Sequence, residues 1–197
     1  MDGRFETPAG WRAVRADFAH YCTVQKATTR LDRMLLLLRA PSLWALAVYR
    51  FGKWVERTPS RALRVLYLVL FEVVRHATGV LLHRWVEIEA DVWFESYAPI
   101  FIGARRVGRG ARIYGGVTLG SGGPRERRGV PAIGRDVVLC PGASVVGPVD
   151  VPDGSVVGPN TLLTSSPSGK GPWLGPPALR FKPVVLKCLK LPKRLRR

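Results

Sequence analysis

Few side chains in this sequence can exchange a proton near neutral pH. Histidine is the residue type best suited to that task, because its unperturbed pKa lies close to the working pH of most enzymes. The chain has three of them, His20, His76 and His83. Glu95 is a further candidate, because it stands among Trp93, Phe94 and Tyr97. Burial against these aromatic rings would raise the pKa of its carboxyl and allow it to accept a proton as a general base.

The cysteines do not extend this set to metal or redox chemistry. They are three in number and widely spaced, at Cys22, Cys140 and Cys188. Such spacing fits neither a metal-ligand cluster nor a disulfide framework, so we expect no metal and no disulfides. The first residues lack the apolar core of a signal peptide, and no uncharged apolar run of about 18 residues would span a bilayer. These features predict a cytoplasmic location.

A repeat of six residues organises the second half of the chain. Aliphatic residues recur at this spacing at Ile133, Leu139, Val145, Val151, Val157 and Leu163. The same spacing holds upstream for Val107, Ile113 and Leu119, before residues 121–132 interrupt the phase with Gly, Pro and charge. A period of six fits neither a helix nor a simple strand, but it fits triangular coils of three short strands. The pattern predicts a left-handed parallel β-helix with inward aliphatic residues, and 121–132 as a surface loop.

The first part of the chain has a helical pattern instead. From Leu31 to Val80, Leu, Val, Trp and Phe are interleaved with Arg, with Ser42 as a candidate helix cap and Gly79 as a candidate helix end. These helices could cover one open end of the β-helix, whose strand edges need protection. We therefore predict an α-helical N-terminal region (1–80), a β-helix (81–182) and a basic C-terminal tail (183–197).

The formal net charge of +17 is the other strong feature of the chain. Basic residues crowd the C-terminal tail and the loop, where Arg125, Arg127 and Arg128 lie close together. Such an excess attracts anions, among them phosphate-bearing ligands, anionic lipid and nucleic acid. No nucleic-acid-binding motif accompanies the charge, so nucleic acid is not an expected partner. Two interpretations stay open. In the first, the charge is a solvated basic face. In the second, it makes peripheral contact, either with the inner face of an anionic membrane or with a partner protein.

Several segments resemble the serine acetyltransferases, in particular relatives from surface-polysaccharide gene clusters. The matching segments are T-G-V-L-L-H at 78–83, I-F-I-G at 100–103, R-I-Y-G-G-V-T-L-G at 112–120, P-A-I-G-R-D-V-V-L-C-P-G-A-S-V-V-G-P-V at 131–149 and W-L-G-P-P-A at 173–178. The resemblance covers roughly residues 35–182. It implies a hexapeptide-repeat acyltransferase that uses acetyl-CoA as acyl donor. It also implies a homotrimer that holds coenzyme A in a groove between neighbouring solenoids.

The catalytic pattern of that family is not retained in this chain. The family's catalytic histidine falls on Glu95 or on Ser96, depending on the register, and a second family histidine falls on Val130. His83 matches a histidine at the start of the solenoid, where a structural role fits better than that of a base. Glu95 would then be the replacement base, with Ser96 beside it. The alternative is a corner carboxylate that faces solvent or pairs with a basic neighbour such as Arg105 or Arg106.

The resemblance is better preserved on the coenzyme side. In the family, backbone groups of the coils hold the pantetheine, and glycine allows a ligand to approach the backbone closely. Basic side chains of the loop suit the phosphates. The residues expected to bind coenzyme A are Tyr114, Gly115, Gly116, Gly120, Ser121, Arg127, Arg128, Gly134, Trp173 and Gly175. Each glycine has an alternative role at the tight corner of its coil, and Trp173 could either stack on adenine or cap the solenoid.

The sequence therefore predicts a coenzyme A-dependent O-acetyltransferase. Its small-molecule acceptor would be the hydroxyl of serine, or of a sugar or polysaccharide precursor. Loss of a general base costs a factor of about 10²–10⁴ in rate, so the missing histidines support a second hypothesis. In that hypothesis the chain is a catalytically degenerate trimer that acts as a scaffold or binding protein.

Overall fold

A computed structural model of the protein describes residues 7–95, 99–122, 129–169 and 172–175. Four helices precede fourteen short strands in these residues. The helices are α1 (Gly10–Val24), α2 (Arg30–Arg39), α3 (Pro41–Val55) and α4 (Arg61–Thr78). The strands are β1 (Val80–Leu82), β2 (Glu87–Ile88), β3 (Trp93–Phe94), β4 (Ile100–Ile102), β5 (Arg106–Val107), β6 (Arg112–Ile113), β7 (Thr118–Gly120), β8 (Ala132–Ile133), β9 (Val138–Leu139), β10 (Ser144–Val146), β11 (Asp150–Val151), β12 (Val156–Val157), β13 (Leu162–Leu163) and β14 (Pro172–Trp173).

The ends of the helices follow local sequence signals in most places. Gly79 ends α4 in the left-handed conformation with φ of 67°, as predicted. The predicted cap at Ser42 is wrong, because Pro41 already occupies the first turn of α3 and no side chain caps that helix. The Ser42 hydroxyl instead donates to the Phe94 carbonyl oxygen at 2.9 Å. In the described part of the chain no single helix is long and apolar enough to cross a membrane, although α2 and α3 together, bent by 80°, meet that length and composition.

The strands form three parallel sheets that wind into a solenoid. Sheet A has the order β1-β4-β7-β10-β13, sheet B has β2-β5-β8-β11, and sheet C has β3-β6-β9-β12-β14. Each coil contributes one strand to each sheet, which gives four complete coils and part of a fifth. This arrangement confirms the predicted left-handed parallel β-helix with an α-helical N-terminal region.

The predicted ladder of aliphatic residues forms the core of this solenoid. Ile133, Leu139, Val145, Val151 and Val157 are all at most 3% exposed, as are Val107, Ile113 and Leu119. Strands β7 and β8 are separated by residues 121–131, most of the predicted loop, of which 123–128 lie outside the described residues. Val107 pairs directly with Ile133 across this interruption, so the loop does not disturb the stacking of the coils.

Three corners join the sheets, and we name them by the sheets they connect. The AB corner comprises the described residues 83–86, 103–105, 121–122, 129–131 and 147–149. The BC corner comprises residues 89–92, 108–111, 134–137 and 152–155. The CA corner comprises the described residues 95, 99, 114–117, 140–143 and 158–161.

Helix side chains satisfy the open edge of the first coil. The Phe94 N–H donates to the Tyr21 hydroxyl at 2.9 Å, and the Tyr21 and Ser42 hydroxyls donate to the Phe94 carbonyl at 3.3 and 2.9 Å. The Tyr49 hydroxyl donates to the Val86 carbonyl at 2.6 Å. Burial raises the pKa of Tyr21 to about 12 and also raises the pKa of Tyr49, so both keep their protons as donors.

Arg50 completes this cap from inside the protein. Its side chain is fully buried, and Nε donates to Asp17 Oδ2 at 2.8 Å. Its terminal nitrogens donate to the carbonyls of Ile88 and Glu89, each at 2.7 Å. One guanidinium thereby joins α1, α3 and the first coil, and the planar fork of arginine suits this geometry better than lysine would.

We predict that Arg50→Met destabilises the protein by about 3–5 kcal/mol, because it leaves a buried carboxylate and two carbonyls without their donor. The matched control is Arg105→Met, which removes an ion pair of the same 2.8 Å length between side chains that are 62% and 66% exposed. That control should cost less than about 1 kcal/mol. Urea unfolding monitored by circular dichroism measures both, and equal losses would contradict the role of Arg50 as the cap.

Candidate active site

The CA corner carries Glu95 at its base. Phe94, Ile113 and Leu139 pair in successive coils, so the residues that follow them, Glu95, Tyr114 and Cys140, form one column. Glu95 is half-buried in this column. The register of the solenoid thus brings the candidate base next to Tyr114 and Gly115, two of the residues expected to bind coenzyme A.

The Glu95 side chain is held by the next coil. Its Oε2 accepts from the Gly115 N–H at 2.7 Å, and its own N–H donates to the Ile113 carbonyl at 2.9 Å. Trp93 is 8% exposed and meets the ring of Tyr114 edge to face at 5.3 Å. Trp93 and Phe94 are both buried, while Ser96 and Tyr97 lie outside the described residues.

A cavity of about 600 Å³ opens between this corner and the helices. Its volume falls in the range of small-molecule sites in proteins. Trp93 and Glu95 line the cavity on the side of the solenoid. The helix residues that line its other side could not be predicted from the sequence pattern. The helix side consists of Val24, Gln25, Lys26, Ala27, Asp32, Leu35, Leu36, Arg39 and Ala40.

The BC corner shows the same carboxylate arrangement in a purely structural setting. Glu89 follows Ile88 as Glu95 follows Phe94, and its Oε2 accepts from the Arg109 N–H at 2.8 Å. Arg135 adds hydrogen bonds of 3.0 and 2.9 Å to the two oxygens. Burial raises the pKa of Glu89, but these donors outweigh it and the pKa lies below its usual value. A glutamate at a corner can thus also have a structural role, because its carboxylate binds a backbone N–H of the next coil.

His83 lies at a different corner from Glu95. It stacks on Trp85 at 5.3 Å and meets the edge of Phe101 at 5.5 Å, at the AB corner. Burial lowers the pKa of His83, so its imidazole is neutral at pH 7. Arg105 is at the same corner and pairs with Asp150 at 2.8 Å rather than with Glu95.

The residues expected to bind coenzyme A are distributed over all three corners of one chain. Tyr114, Gly115 and Gly116 share the CA corner with Glu95, whereas Ser121 lies at the AB corner, directly after Gly120 of β7. Trp173 lies in β14 and Gly175 donates its N–H to Thr161 Oγ1 at 2.6 Å, so both help to close the last coil. Arg127 and Arg128 lie outside the described residues.

Gly134 and Gly120 differ in the space around them. A Cβ at Gly134, on the BC corner, would lie 2.7 Å from Asp153 N and 2.8 Å from Val151 O. The next coil fills that space, which explains this glycine by packing alone. Among the described residues, a Cβ at Gly120 would meet only the ring of Phe101, at 3.6 Å, so these residues leave the backbone approachable. No group of His, Cys, Asp or Glu among the described residues is arranged to hold a metal ion.

The stacked parallel sheets and the six-residue ladder define a hexapeptide-repeat protein. The chain is 32% identical over 124 residues to a serine acetyltransferase of Mycobacterium tuberculosis, covering 62% of this chain and 53% of that one. It is 29% identical over 148 residues to a serine acetyltransferase of Helicobacter pylori, covering 74% of this chain and 85% of that one. A solved serine acetyltransferase in complex with CoA aligns with a TM-score of 0.63 at 21% identity, covering 79% of this chain and 63% of that one.

These likenesses confirm the resemblance to the serine acetyltransferase-like hexapeptide-repeat proteins that the sequence motifs predict. The chain spans about half the length of the M. tuberculosis relative. No family model matches the chain.

We predict that the contribution of Glu89 to stability depends on pH. Because its pKa is lower in the folded than in the unfolded protein, its contribution is complete above the unfolded value and is lost as the pH falls through the folded value. The difference in unfolding free energy between the natural protein and Glu89→Gln should therefore be larger at about pH 7 than at about pH 3. Urea titrations at both pH values measure it, and a constant difference would contradict the prediction.

Proposed function

We propose that the protein transfers the acetyl group of acetyl-CoA to the hydroxyl of a small acceptor, and that Glu95 is the base. The observation that carries the proposal is the position of the Glu95 carboxylate at a cavity of about 600 Å³, directly beside Tyr114 and Gly115. The likeness to serine acetyltransferases, one of them solved with CoA, supports the choice of donor.

In this proposal each group at the CA corner has a defined part. Glu95 takes the proton from the acceptor hydroxyl, and the oxygen attacks the carbonyl carbon of the thioester. The carbon–sulfur bond then breaks, the ester forms, and the leaving sulfur of coenzyme A takes the proton back from Glu95, which restores the carboxylate. The hydrogen bond from the Gly115 N–H, at 2.7 Å, fixes the carboxylate so that little reorganisation is needed.

The cavity favours serine over a sugar as acceptor. Its helix side presents cationic groups from Lys26 and Arg39 and the carboxylate of Asp32. Hydrogen bonds from the Thr29 backbone and side chain lower the pKa of Asp32, so it stays ionised at neutral pH. An amino acid has a carboxylate that can pair with Lys26 and Arg39 and an ammonium group that can pair with Asp32. A neutral sugar can form neither ion pair.

The separation of the corners supports assembly as a homotrimer. Glu95 and Gly115 lie at the CA corner of a chain, while His83 and the approachable Gly120 lie at its AB side. If the CA corner of one solenoid faces the AB corner of its neighbour, Glu95 and Gly115 of one chain and His83 and Gly120 of the other lie in one groove. We therefore propose that the complete donor site forms between subunits.

A second candidate function is that of a non-catalytic binding protein. It is favoured by one observation: Glu95 binds the Gly115 N–H in the way that Glu89 binds the Arg109 N–H. In that case Glu95 is retained because it fixes the second coil, and the cavity binds a ligand without reaction.

We predict that Glu95→Gln lowers kcat by a factor of about 10²–10⁴ without unfolding the protein. The glutamine oxygen still accepts from the Gly115 N–H, so the corner is preserved while the base is removed. Release of free thiol from acetyl-CoA, followed with a thiol reagent in the presence and absence of L-serine, measures the rate.

Glu89→Gln is the matched control for this variant. It makes the same chemical change in the same kind of corner, and it should lower stability but leave kcat unchanged. Equal effects of the two substitutions on kcat would contradict Glu95 as the base. If the natural protein neither binds coenzyme A in calorimetry nor releases thiol, the binding-protein hypothesis replaces the enzyme.

We also predict that Leu35→Trp raises the KM for serine at least about tenfold, because the indole would occupy the cavity, while the KM for acetyl-CoA changes little. The control is Leu38→Trp on the same helix, since Leu38 is 73% exposed and does not line the cavity. An unchanged KM for serine in Leu35→Trp would place the acceptor elsewhere.

A further inference from the structure

Large apolar side chains are exposed on the helices far more than on the solenoid. In the helices they include Trp11, Leu31, Met34, Leu38, Trp44, Trp54, Val65, Leu66, Leu68, Val69 and Val73. Trp11 is 72% exposed and Val65 is 61% exposed. Soluble proteins rarely expose contiguous apolar surface on this scale unless it contacts another protein or a membrane.

Part of this surface is a continuous depression across α1 and α3. Two grooves of about 600 and about 530 Å³ share the residues Trp11, Val14, Trp44 and Ala47. We call the two together the apolar trough. One end of the trough reaches Leu37 of α2, and the other end is lined by Phe51, Trp54 and Leu70.

Helix α4 continues the trough with an outward apolar stripe. Val65, Val69 and Val73 follow each other at four-residue spacing, and all are at least 56% exposed. They lie on the face opposite Tyr67, which is 5% exposed and packs inward. Leu70, at the end of the trough, stands next to this stripe, so the two surfaces form one apolar area.

The charge beside the trough is positive, and Glu72, the acidic residue of α4 next to the stripe, is paired with Arg75. Arg15 is the charged residue among the groove-lining residues that the structure describes, and no acidic residue accompanies it there. Arg12 is exposed one residue after Trp11, and the whole chain carries a net charge of +17. A second copy of the chain would bring the same positive charge to the interface, whereas an anionic lipid surface would be attracted.

We propose that the apolar trough and the α4 stripe dock on the surface of an anionic phospholipid bilayer. Trp11, Trp44 and Trp54 would lie at the level of the headgroups, where amphipathic indole rings are favoured. Arg12 and Arg15 would keep their guanidinium groups at the phosphates while their stems cover apolar surface. This inference is independent of the proposed acetyl transfer.

Vesicle flotation tests the proposal with two pairs of variants. Trp11→Ser removes an exposed indole from the trough, and Trp85→Ser, 49% exposed on the first coil, is its control. Arg12→Glu with Arg15→Glu reverses two charges beside the trough. Arg84→Glu with Arg112→Glu makes the same change in net charge on exposed residues of the solenoid.

The natural protein should float with vesicles of phosphatidylcholine and phosphatidylglycerol but not with phosphatidylcholine alone. Trp11→Ser and the double reversal on α1 should each weaken binding at least about tenfold, and both control variants should bind as the natural protein does. Circular dichroism confirms that each variant is folded.

Three outcomes would overturn the proposal. The first is equal flotation with neutral and anionic vesicles, or none with either. The second is unchanged binding of both α1 variants, which would assign the contact to another basic segment such as the C-terminal tail. The third is that the natural protein does not float and that Trp11→Ser has a lower molar mass than the natural protein in analytical ultracentrifugation. That result would make the trough a contact between copies of the chain.

Discussion

The open edge of the first coil is the constraint on which the rest of this structure depends. A parallel solenoid leaves one row of backbone N–H and C=O groups unpaired at its start, and buried groups of this kind must find partners. Here the partners are side chains of the preceding helices. Phe94 is met by Tyr21 and Ser42, and Arg50 reaches the Ile88 and Glu89 carbonyls at 2.7 Å. The helices are therefore part of the solenoid's hydrogen-bonding scheme and cannot move independently of it.

This cap also creates the candidate site. Tyr21 near the end of α1 and Ser42 at the start of α3 are tied to Phe94, the residue before Glu95. The connection from α1 to α2 and the start of α3 must therefore pass above Glu95, and the cavity lies between them. A chain without the cap would keep the Glu95–Gly115 hydrogen bond but would lose the helical wall that carries Lys26 and Asp32. Binding of a charged acceptor thus depends on the same contacts that seal the edge.

The elements that the sequence predicts well are those that repeat or that signal locally. The ladder from Ile133 to Val157 is visible because each inward position recurs every six residues, and Gly79 is visible because the left-handed conformation favours glycine. The helix side chains that cap the first coil cannot be recognised in the sequence. Asp17 and Arg50 are 33 residues apart and Tyr21 and Phe94 are 73 apart, and neither distance follows any period.

Ser42 and Glu95 illustrate the same limit within single residues. Ser42 carries a local signal for a helix cap, yet a long-range carbonyl at Phe94 takes its hydroxyl. Glu95 carries a local signal for a buried carboxylate; its neighbours Trp93 and Phe94 are buried, whereas Glu95 itself is half-buried. The Gly115 contact and the helical wall depend on tertiary stacking, so only the structure supplies them. The fold was thus predictable from the sequence, whereas the candidate site was predictable only on its solenoid side.

The helices divide their tasks between two faces, and this division explains why their outer face can be so apolar. The inner face is held by directional contacts: a buried ion pair, two tyrosine hydroxyls and a serine. These directional hydrogen bonds join α1 and α3 to the first coil in one arrangement, and they add specificity to the apolar burial of Leu43 and Leu46. Exposed Trp11 and Trp44, on the two helices held in this way, can then persist without pulling the helices into another packing. In a fold held only by apolar burial, that surface would compete with the core.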